Sequence, residues 1–174
     1  MAKHTVSPTN REVFFGDDEI IVSKTDSKGR ITYANDVFMR ISGYSVDETL
    51  GQPHSFIRHP DMPRSVFKLL WDAIEAKGEI FAYVKNMTKI GDHYWVLAHV
   101  TASLDRNGSI LGYHSNRRKP DPAKVKIVSD LYRNLKQIED RPNNRKDSMA
   151  ESYDFLSSVL IQKGVSYDEF VLTL

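Results

Sequence analysis

The sequence contains no cysteine, and this absence removes several classes of chemistry at once. Disulfides, thiolate metal sites, iron–sulfur clusters and a cysteine nucleophile are all excluded. No stretch approaches the roughly 18 consecutive apolar residues of a membrane span. Residues 1–10 are polar and lack the apolar core of a signal peptide. We therefore expect a cytoplasmic protein that does not insert into a membrane.

An excess of charge of one sign is also missing. The 174 residues include 24 Lys and Arg against 23 Asp and Glu, so the formal net charge is +1. No overall field attracts such a chain to nucleic acid or to anionic lipid. Hydrophobic residues make up 40% and charged residues 27%, which is the balance of a soluble globular protein with its own core.

Signatures of catalysis are absent as well. The sequence has no glycine-rich phosphate loop and no H-E-x-x-H or G-x-S-x-G motif. Two histidine pairs, His54 with His59 and His93 with His99, lack the further ligands of a zinc site nearby. We expect neither an enzyme nor a metal site.

Turn residues and hydrophobic periodicity divide the chain into strands and helices. Predicted strands cover 19–25, 30–34, 79–89, 93–104 and 109–116, and predicted helices begin near Asn35, Ser45, Pro63, Asp121 and Met149. The helices that precede the third strand separate it from the first two, which indicates an α+β domain with an antiparallel sheet. A small-molecule pocket is expected between the sheet and these helices.

Pro120 and Pro122 mark a boundary, which divides the chain into a loose arm (1–18), a central domain (19–119) and a C-terminal helical segment (120–174). An apolar stripe runs along the helix predicted for 121–140, formed by Val125, Val128, Leu131, Leu135 and Ile138. This stripe must be covered, either by the chain's own sheet or by a partner. A polar linker over 141–148 would let the last helices reach a neighbour. We expect an output and dimerisation element whose deletion leaves the ligand site intact.

Several short motifs occur in a fixed order through the central domain. They are Tyr33-Ala-Asn-Asp36, Ser42-Gly-Tyr44, Gly51-Gln-Pro-His54, Ile57-Arg-His-Pro-Asp-Met-Pro63, Val84-Lys-Asn86 and Gly91-Asp-His-Tyr-Trp-Val96. Together they resemble PAS sensory domains, and most closely the FAD-binding PAS domain of bacterial aerotaxis receptors. The resemblance implies a five-stranded antiparallel sheet with short helices covering one face, followed here by C-terminal helices. It also implies a bound FAD and a role in sensing redox state or oxygen.

Strand alternation identifies one candidate ligand contact. Small and apolar residues, among them Val84 and Ala98, mark the inward faces of the third and fourth strands. Asn86 shares that face, so its amide points into an apolar pocket and needs partners. It could pair with the polar edge of a flavin ring, or it could bond nearby backbone at the strand end.

His54 is a second candidate. Flavin-binding light-sensing domains resemble residues 51–61, and their photoreactive cysteine falls on His54. Formation of a flavin–cysteine adduct is therefore excluded. The alignment places His54 near the ring; the alternative is a capping or surface histidine beside Pro53.

The proline-punctuated loop holds three more candidates, which the aerotaxis family links to FAD. Arg58 could form charge-assisted bonds to a pyrophosphate, while Asp61 could hold His59 or a ribose hydroxyl. The alternative is a solvated loop of salt bridges.

The resemblance extends to Asn35 and Phe67, which match further positions tied to the cofactor. Trp71, one turn beyond Phe67, belongs either to the core or to the ligand site. Ile80 and Phe81 depart from the family, which has proline and tryptophan there.

Two other functions stay open. A haem b gas sensor would need a proximal ligand such as His54, His59 or His99, and a ligand-free PAS domain would serve only for dimerisation. The chain resembles the soluble half of bipartite aerotaxis systems, so we expect a homodimer that signals to a membrane-bound chemoreceptor or a similar protein, and no nucleic-acid partner.

Overall fold

A computed structural model describes residues 6–141 and 144–174. The strands are β1 (Ile21–Asp26), β2 (Ile31–Ala34), β3 (Glu79–Met87), β4 (His93–Leu104) and β5 (Ile110–Arg118). The α-helices are α1 (Asp36–Ser42), α2 (Val46–Thr49), α3 (Arg64–Lys77), α4 (Pro122–Glu139), α5 (Arg145–Lys163) and α6 (Tyr167–Thr173), with a 3-10 helix at His54–Ile57. Residues 1–5 of the predicted arm, and Pro142 and Asn143 of the predicted linker, lie outside the described residues.

The five strands form one antiparallel sheet in the order β2-β1-β5-β4-β3. Between β2 and β3 the chain crosses one face of the sheet through α1, α2, the 3-10 helix and α3. The predicted α+β architecture with an antiparallel sheet is confirmed.

Local sequence signals account for the helices that cover this face. The Asn35 side chain accepts a hydrogen bond from the Phe38 amide and begins α1. Ser45 and Glu48 form the predicted capping box of α2. Gly78, at φ 78°, ends α3 in the left-handed conformation that glycine adopts without strain. The structure confirms these three predictions. Each could be made from the sequence because it depends only on residues that are close together along the chain.

The fifth strand is longer than predicted. It runs to Arg118 rather than ending at Asn116, because β1 and β4 offer ladder partners on both sides: Arg117 lies opposite Ile21 on β1 and Ala98 on β4. Because Arg117 belongs to the strand, the pairing of β5 determines which face of the sheet its side chain lies on.

The N-terminal arm is held in place over the residues that the structure describes. The Thr9 amide donates to the Gly91 carbonyl at 2.9 Å, and the Val13 amide donates to the His93 carbonyl at 2.7 Å. Arg11 Nε donates to Asp92 Oδ2 at 2.9 Å. This part of the arm therefore packs on the β3–β4 turn instead of hanging loose.

The C-terminal helices fold back on the central domain. The apolar side chains that join its core are Val128, Tyr132, Leu135, Leu156, Leu160, Tyr167, Phe170 and Val171, packed with Val66, Ile80 and Trp95 among others. The stripe of α4 is thus covered within the chain, which is one of the two options left open by the sequence. No helix in the described parts is long and apolar enough to cross a membrane.

The predicted linker over 141–148 is wrong for its second half. Residues 145–148 belong to α5, because the Asn144 side chain accepts from the Lys146 amide at 2.9 Å and caps the helix there. Only residues 140–144 separate the two helices in the sequence, and α5 packs against α4.

The C-terminal helices also occupy the outer edge of β3. The Tyr132 hydroxyl donates to the Tyr83 carbonyl at 2.7 Å, and Asp168 Oδ1 accepts from the Phe81 amide at 3.0 Å. Further along, the His59 amide donates to the Lys85 carbonyl at 3.3 Å. Backbone groups that do not face β4 thereby gain partners.

Glu139, near the end of α4, caps α3 from outside. Its side chain has no exposure, and it accepts from the amides of Arg64 and Ser65 at 2.9 Å each and from Arg64 Nε at 3.1 Å. The helix needs this acceptor, because its own N-cap residue, Pro63, makes no side-chain capping bond. The start of α3 is therefore fixed by α4.

Candidate functional site

A cavity of about 270 Å³, here called the inner cavity, lies between the sheet and α3. Its apolar lining comes from Phe67, Leu70, Trp71 and Ile74 on α3 and from Ile80, Val84, Ala98 and Val100 on β3 and β4. Its polar lining includes Ser23, His54, Arg58, Asn86, Ser115 and Arg117. An apolar cleft with a few convergent polar groups is the usual form of a small-molecule site.

Asn86 lies on the inward face of β3, as alternation predicts. Val84 on the same strand and Ala98 and Val100 on β4 line the cavity beside it. Asn86 is 3% exposed. Its Nδ2 makes no hydrogen bond of normal geometry among the described residues, although the Tyr94 hydroxyl is close enough to interact with the Asn86 side chain. A buried amide donor is normally satisfied, so this one is available to a ligand.

Arg58 reaches the cavity from the loop between the 3-10 helix and α3. Its guanidinium lies 3.4 Å from the centroid of the Phe67 ring, in cation–π geometry. Burial lowers the pKa of Arg58 to about 10, so the side chain stays charged at neutral pH. Arg58 Nε has no hydrogen-bond partner within the described parts of the chain.

His54 and Arg117 form a polar pair on the sheet side of the cavity. Arg117 Nη2 lies 2.5 Å from His54 Nε2 and 2.6 Å from Ser23 Oγ, and the same imidazole nitrogen lies 3.1 Å from that hydroxyl. Arg117 is 3% exposed, and its Nη1 has no partner in the described residues.

Electrostatics fixes the protonation state of the pair. Burial lowers the pKa of His54 well below its ordinary value, and the positive charges of Arg117 and Arg58 lower it further. Burial lowers the pKa of Arg117 to about 10. Arg117 therefore donates to a neutral imidazole, and a neutral His54 that accepts at Nε2 carries its proton on Nδ1.

Trp71 and Tyr113 stand together at one mouth of the cavity. Their ring centroids are 5.0 Å apart in an edge-to-face arrangement. Trp71 lines the cavity while remaining 41% exposed, so it borders both the ligand space and solvent.

Three of the predicted site residues do not line the inner cavity. The Asn35 amide is taken up by backbone: Oδ1 accepts from Val22 at 3.0 Å and from Phe38 at 3.1 Å, and Nδ2 donates to the Ile20 carbonyl at 2.8 Å. Asn35 therefore holds the start of α1 against β1.

His59 and Asp61 lie on the far side of the loop from the inner cavity. His59 is 1% exposed, and its Nδ1 accepts from the Asp61 amide at 3.1 Å. The Asp61 carboxylate pairs with Lys85 Nζ at 2.7 Å. Phe81, the departure from the family, stacks on His99 with ring centroids 4.2 Å apart, and neither residue lines the cavity.

Sequence reasoning missed several polar or aromatic residues that line the cavity, namely Ser23, Thr25, Lys28, Ser55, Tyr113, Ser115 and Arg117. Three of them alternate along β5 and share one face. The same alternation that located Asn86 could have found Tyr113 and Ser115, which lie within the predicted strand. Arg117 was missed because the predicted strand ended at Asn116.

Comparison with known proteins identifies the class of domain. Residues 31–116 match the family model described as PAS fold. Among solved structures, the light state of the blue-light photoreceptor Aureochrome1 LOV superimposes with a TM-score of 0.56 at 27% identity, covering 63% of this chain and 88% of that one. Through this region, the chain belongs to the PAS-fold family.

Among curated relatives, the chain is similar to the aerotaxis receptor of Escherichia coli (strain K12). The two are 41% identical over 128 residues, which make up 73% of this chain and 25% of the receptor. Phototropin-1A of Oryza sativa subsp. japonica is 30% identical over 80 residues, 46% of this chain and 9% of that protein. The chain thus spans about a quarter of the receptor's length and less of the phototropin.

Proposed function

We propose that the chain binds FAD in the inner cavity and acts as a redox or oxygen sensor that signals to a chemoreceptor or similar transducer. The observation that carries this proposal is a set of buried polar atoms without partners among the described residues. Those that line the cavity are Asn86 Nδ2, Arg58 Nε, Arg117 Nη1 and Ser115 Oγ. Because buried donors are normally paired, their convergence favours a ligand that carries several acceptors.

A flavin ring fits these residues chemically. The ring is flat and mostly apolar, and it carries carbonyl oxygens and nitrogens along one edge. The apolar walls from α3 and β4 suit its faces, and the Asn86 amide, which both donates and accepts, suits that edge. The motif that includes Asn86 resembles the FAD-binding PAS domains of aerotaxis receptors, and the 41% identity to one aerotaxis receptor supports the same ligand.

Arg117 supplies positive charge inside the cavity. A flavin, when bound, accepts and releases electrons reversibly. Since Arg117 is buried, its charge acts at low dielectric and favours whichever redox form carries more negative charge.

His54 provides a place for a proton. A negative charge in the cavity would raise the pKa of His54 and would attract the guanidinium of Arg117 away from Nε2. His54 could then take up a proton at Nε2 as the ligand gains charge. The exchange of partners at Arg117 is a local two-state event of the kind that can bias a larger element.

Arg117 and Arg58 are each connected to the C-terminal helices by a separate route. Arg117 stands at the end of β5, just before Pro120 and α4. Arg58 belongs to the loop that enters α3, whose first turn is held by Glu139 of α4. A difference in contact energy of about 1–3 kcal/mol between redox states is enough to shift such an equilibrium several-fold. We propose that α4–α6 carry the output, with a homodimer and a chemoreceptor as partners.

A haem sensor is the alternative, and the placement of the histidines disfavours it. His59 and His99 do not line the cavity. His54 does, but its Nε2 already faces the Arg117 guanidinium at 2.5 Å. A cation at the ligating nitrogen opposes coordination of ferrous or ferric iron.

The test of the proposal is the identity of the cofactor. Protein purified without added ligand is heated, and the released chromophore is run against FAD, FMN, riboflavin and haem standards. We expect FAD. Recovery of haem, or of no chromophore even after incubation with excess FAD, would show that the assignment is wrong.

Signalling is tested separately on the holoprotein. Hydrogen exchange is compared between the oxidised and the anaerobically reduced states. We expect the difference to extend beyond the cavity to α4 and to the start of α3. Identical protection of those helices in both states would rule out this output route.

A further inference from the structure

We propose that the C-terminal helices complete the cofactor site: Lys136 of α4 and Arg145 of α5 join Arg58 in binding the pyrophosphate of a flavin dinucleotide. These helices would then select FAD over FMN. The inference rests on the proposed flavin function, and it assigns a ligand-binding role to a segment outside the matched residues 31–116.

The site is a second depression, here called the outer cleft, of about 530 Å³. It lies between the loop that precedes α3 and the α4–α5 connection, and Lys136, Glu139 and Arg145 contribute to its lining. Ser55 and Arg58 line both the inner cavity and the outer cleft. The two spaces therefore adjoin at these residues, and in the proposed complex the ligand passes beside Arg58 from one into the other.

The inner cavity is too small to hold a whole flavin dinucleotide, so part of such a ligand must extend beyond it. At about 270 Å³ it falls just below the range of roughly 300–1,000 Å³ that holds drug-sized ligands. A ring system fits there, but the ribityl chain, two phosphates and a nucleoside need further space. The outer cleft provides that space on the side where Arg58 stands.

The charge balance of the outer cleft favours an anion. Basic groups outnumber acidic ones among its lining residues: Arg58, Arg64, Lys136 and Arg145 against Glu139 and Asp140. Glu139 is already neutralised by Arg64 and by two backbone amides. Phosphate groups are the anions that arginine and lysine bind with charge-assisted hydrogen bonds.

Two of these cations are free to engage a ligand. No ion pair to Arg58 or Arg145 is formed by the residues that the structure describes. The backbone of Arg145 is nevertheless fixed, because its carbonyl accepts from Arg64 Nη1 at 2.8 Å. Lys136 pairs with Asp140 at 2.5 Å, but Asp140 is 61% exposed, so that contact is weak and exchangeable.

The experiment compares Lys136→Ala/Arg145→Ala with the control Lys126→Ala/Lys146→Ala. The control removes two lysines from the same helices that do not line the outer cleft. Dissociation constants for FAD, FMN and riboflavin are measured by fluorescence titration of apoprotein at low and high salt. We expect the cleft variant to bind FAD about tenfold or more weakly, with riboflavin unchanged. The control should match wild type, and high salt should reduce the difference.

Three results would overturn the inference while leaving flavin binding intact. Wild-type protein could bind FAD and riboflavin equally well, or the cleft variant could lose affinity for both to the same extent. In the third case, Lys28→Ala, at a residue that lines the inner cavity but not the outer cleft, would weaken FAD binding while the cleft variant would not, which would place the phosphates outside the outer cleft.

ADP serves as a separate probe if the protein binds no flavin at all. In that case the proposed function fails. ADP binding that is lost in the cleft variant would still support a phosphate site in the outer cleft, and absence of ADP binding would overturn it.

Discussion

Arg117 is a buried cation whose protein partners are neutral. Its hydrogen bonds go to Ser23 and His54, and no carboxylate pairs with it among the described residues. Leaving a charge buried without a counterion costs several kcal/mol. Such a residue is disfavoured by stability alone, which is why we connect it with a ligand that carries or acquires negative charge.

Replacing Arg117 by glutamine should make reduction of the bound flavin less favourable. Removal of the positive charge destabilises the more negative redox form, so the midpoint potential should fall by about 30 mV or more, where 30 mV equals about 1.4 kcal/mol for two electrons. Spectroelectrochemical titration measures it. Arg118→Gln, an exposed neighbour, is the control, and equal potentials in wild type and Arg117→Gln would contradict the assignment.

Asn86→Ala should weaken flavin binding more than it weakens the fold. Loss of a hydrogen bond to the ring corresponds to about 1–3 kcal/mol, or roughly fivefold to 150-fold in affinity. Titration of apoprotein with FAD and thermal unfolding of the same sample separate the two effects. Asn116→Ala, on the other face of β5, is the matched control. A collapse of stability with flavin occupancy unchanged would make Asn86 structural.

The pH dependence of stability should report on His54. Its pKa is lowered in the folded state by burial and by Arg117, so below about pH 6.5 the unfolded chain binds a proton that the folded chain does not. Stability is therefore complete above pH 6.5 and falls as the pH drops. The loss from His54 between pH 7.5 and 5.5 should be at most about 1.4 kcal/mol, the limit for an imidazole that stays neutral in the folded chain over this range.

Denaturant unfolding of apoprotein at both pH values tests this expectation. His93, whose pKa burial also lowers, adds a loss of the same sign. His54→Gln should remove only its own part, and His54→Gln/His93→Gln should remove the parts of both residues. An undiminished pH effect in His54→Gln would mean that the imidazole is not held neutral.

At the residue scale, the sequence located much of the cavity, including the charge of Arg58, but not the charge of Arg117. His54, Arg58, Phe67, Trp71 and Asn86 all line the inner cavity, although none has yet been tested as a ligand contact. Arg117 could not be placed, because its position depends on how far β5 pairs with strands distant in the sequence. Asn35 is the opposite case: it belongs to a family motif and was predicted as a ligand contact, but its side chain is hydrogen-bonded to backbone groups and does not line the cavity.

At the scale of secondary-structure elements, the contact between Glu139 and the start of α3 links the central domain to the C-terminal helices. Glu139→Ala should destabilise the protein by about 3–5 kcal/mol, because it leaves the half-buried Arg64 Nε and two amides without the acceptor that a buried carboxylate provides. Denaturant unfolding measures the change. Glu151→Gln, which alters an exposed pair with Arg141 at 3.6 Å, is the control and should change stability by less than about 1 kcal/mol.

If Glu139→Ala behaves like the control, the cap does not stabilise α3. If it destabilises as expected, the Glu139→Gln variant distinguishes charge from hydrogen bonding, since the amide retains one acceptor. The elements themselves were predictable because caps and turns depend on adjacent residues. The capping of α3 by Glu139 was not predictable, because nothing in the local sequence pairs Arg64 with a residue 75 positions away.

At the scale of the whole molecule, α5 and α6 belong to the core rather than to an independent arm. Deleting residues 141–174 removes Leu156, Leu160, Phe170 and Val171 from contact with α3 and β3. Each lost core side chain typically costs about 2–5 kcal/mol. We expect the truncated chain to unfold at a much lower temperature and to bind a hydrophobic dye. A truncated chain that is as stable as the full one would show that these helices pack only loosely.

The overall architecture followed from the resemblance and from strand order, but the position of the C-terminal helices did not. An amphipathic stripe such as that of α4 shows that a helix must be covered, without showing by what. The structure resolves this through contacts of high sequence separation, such as Tyr132 with Tyr83.

The coverage of β3 has a consequence for solubility. A strand at the border of a sheet exposes a row of backbone donors and acceptors that can recruit strands from other molecules, which is a common start of aggregation. Here Phe81, Tyr83 and Lys85 have those groups bonded by Asp168, Tyr132 and His59. The opposite border, β2, is only four residues long. These bonded groups are not open to a strand from a partner, so recognition at this border uses side chains on the surfaces of the helices.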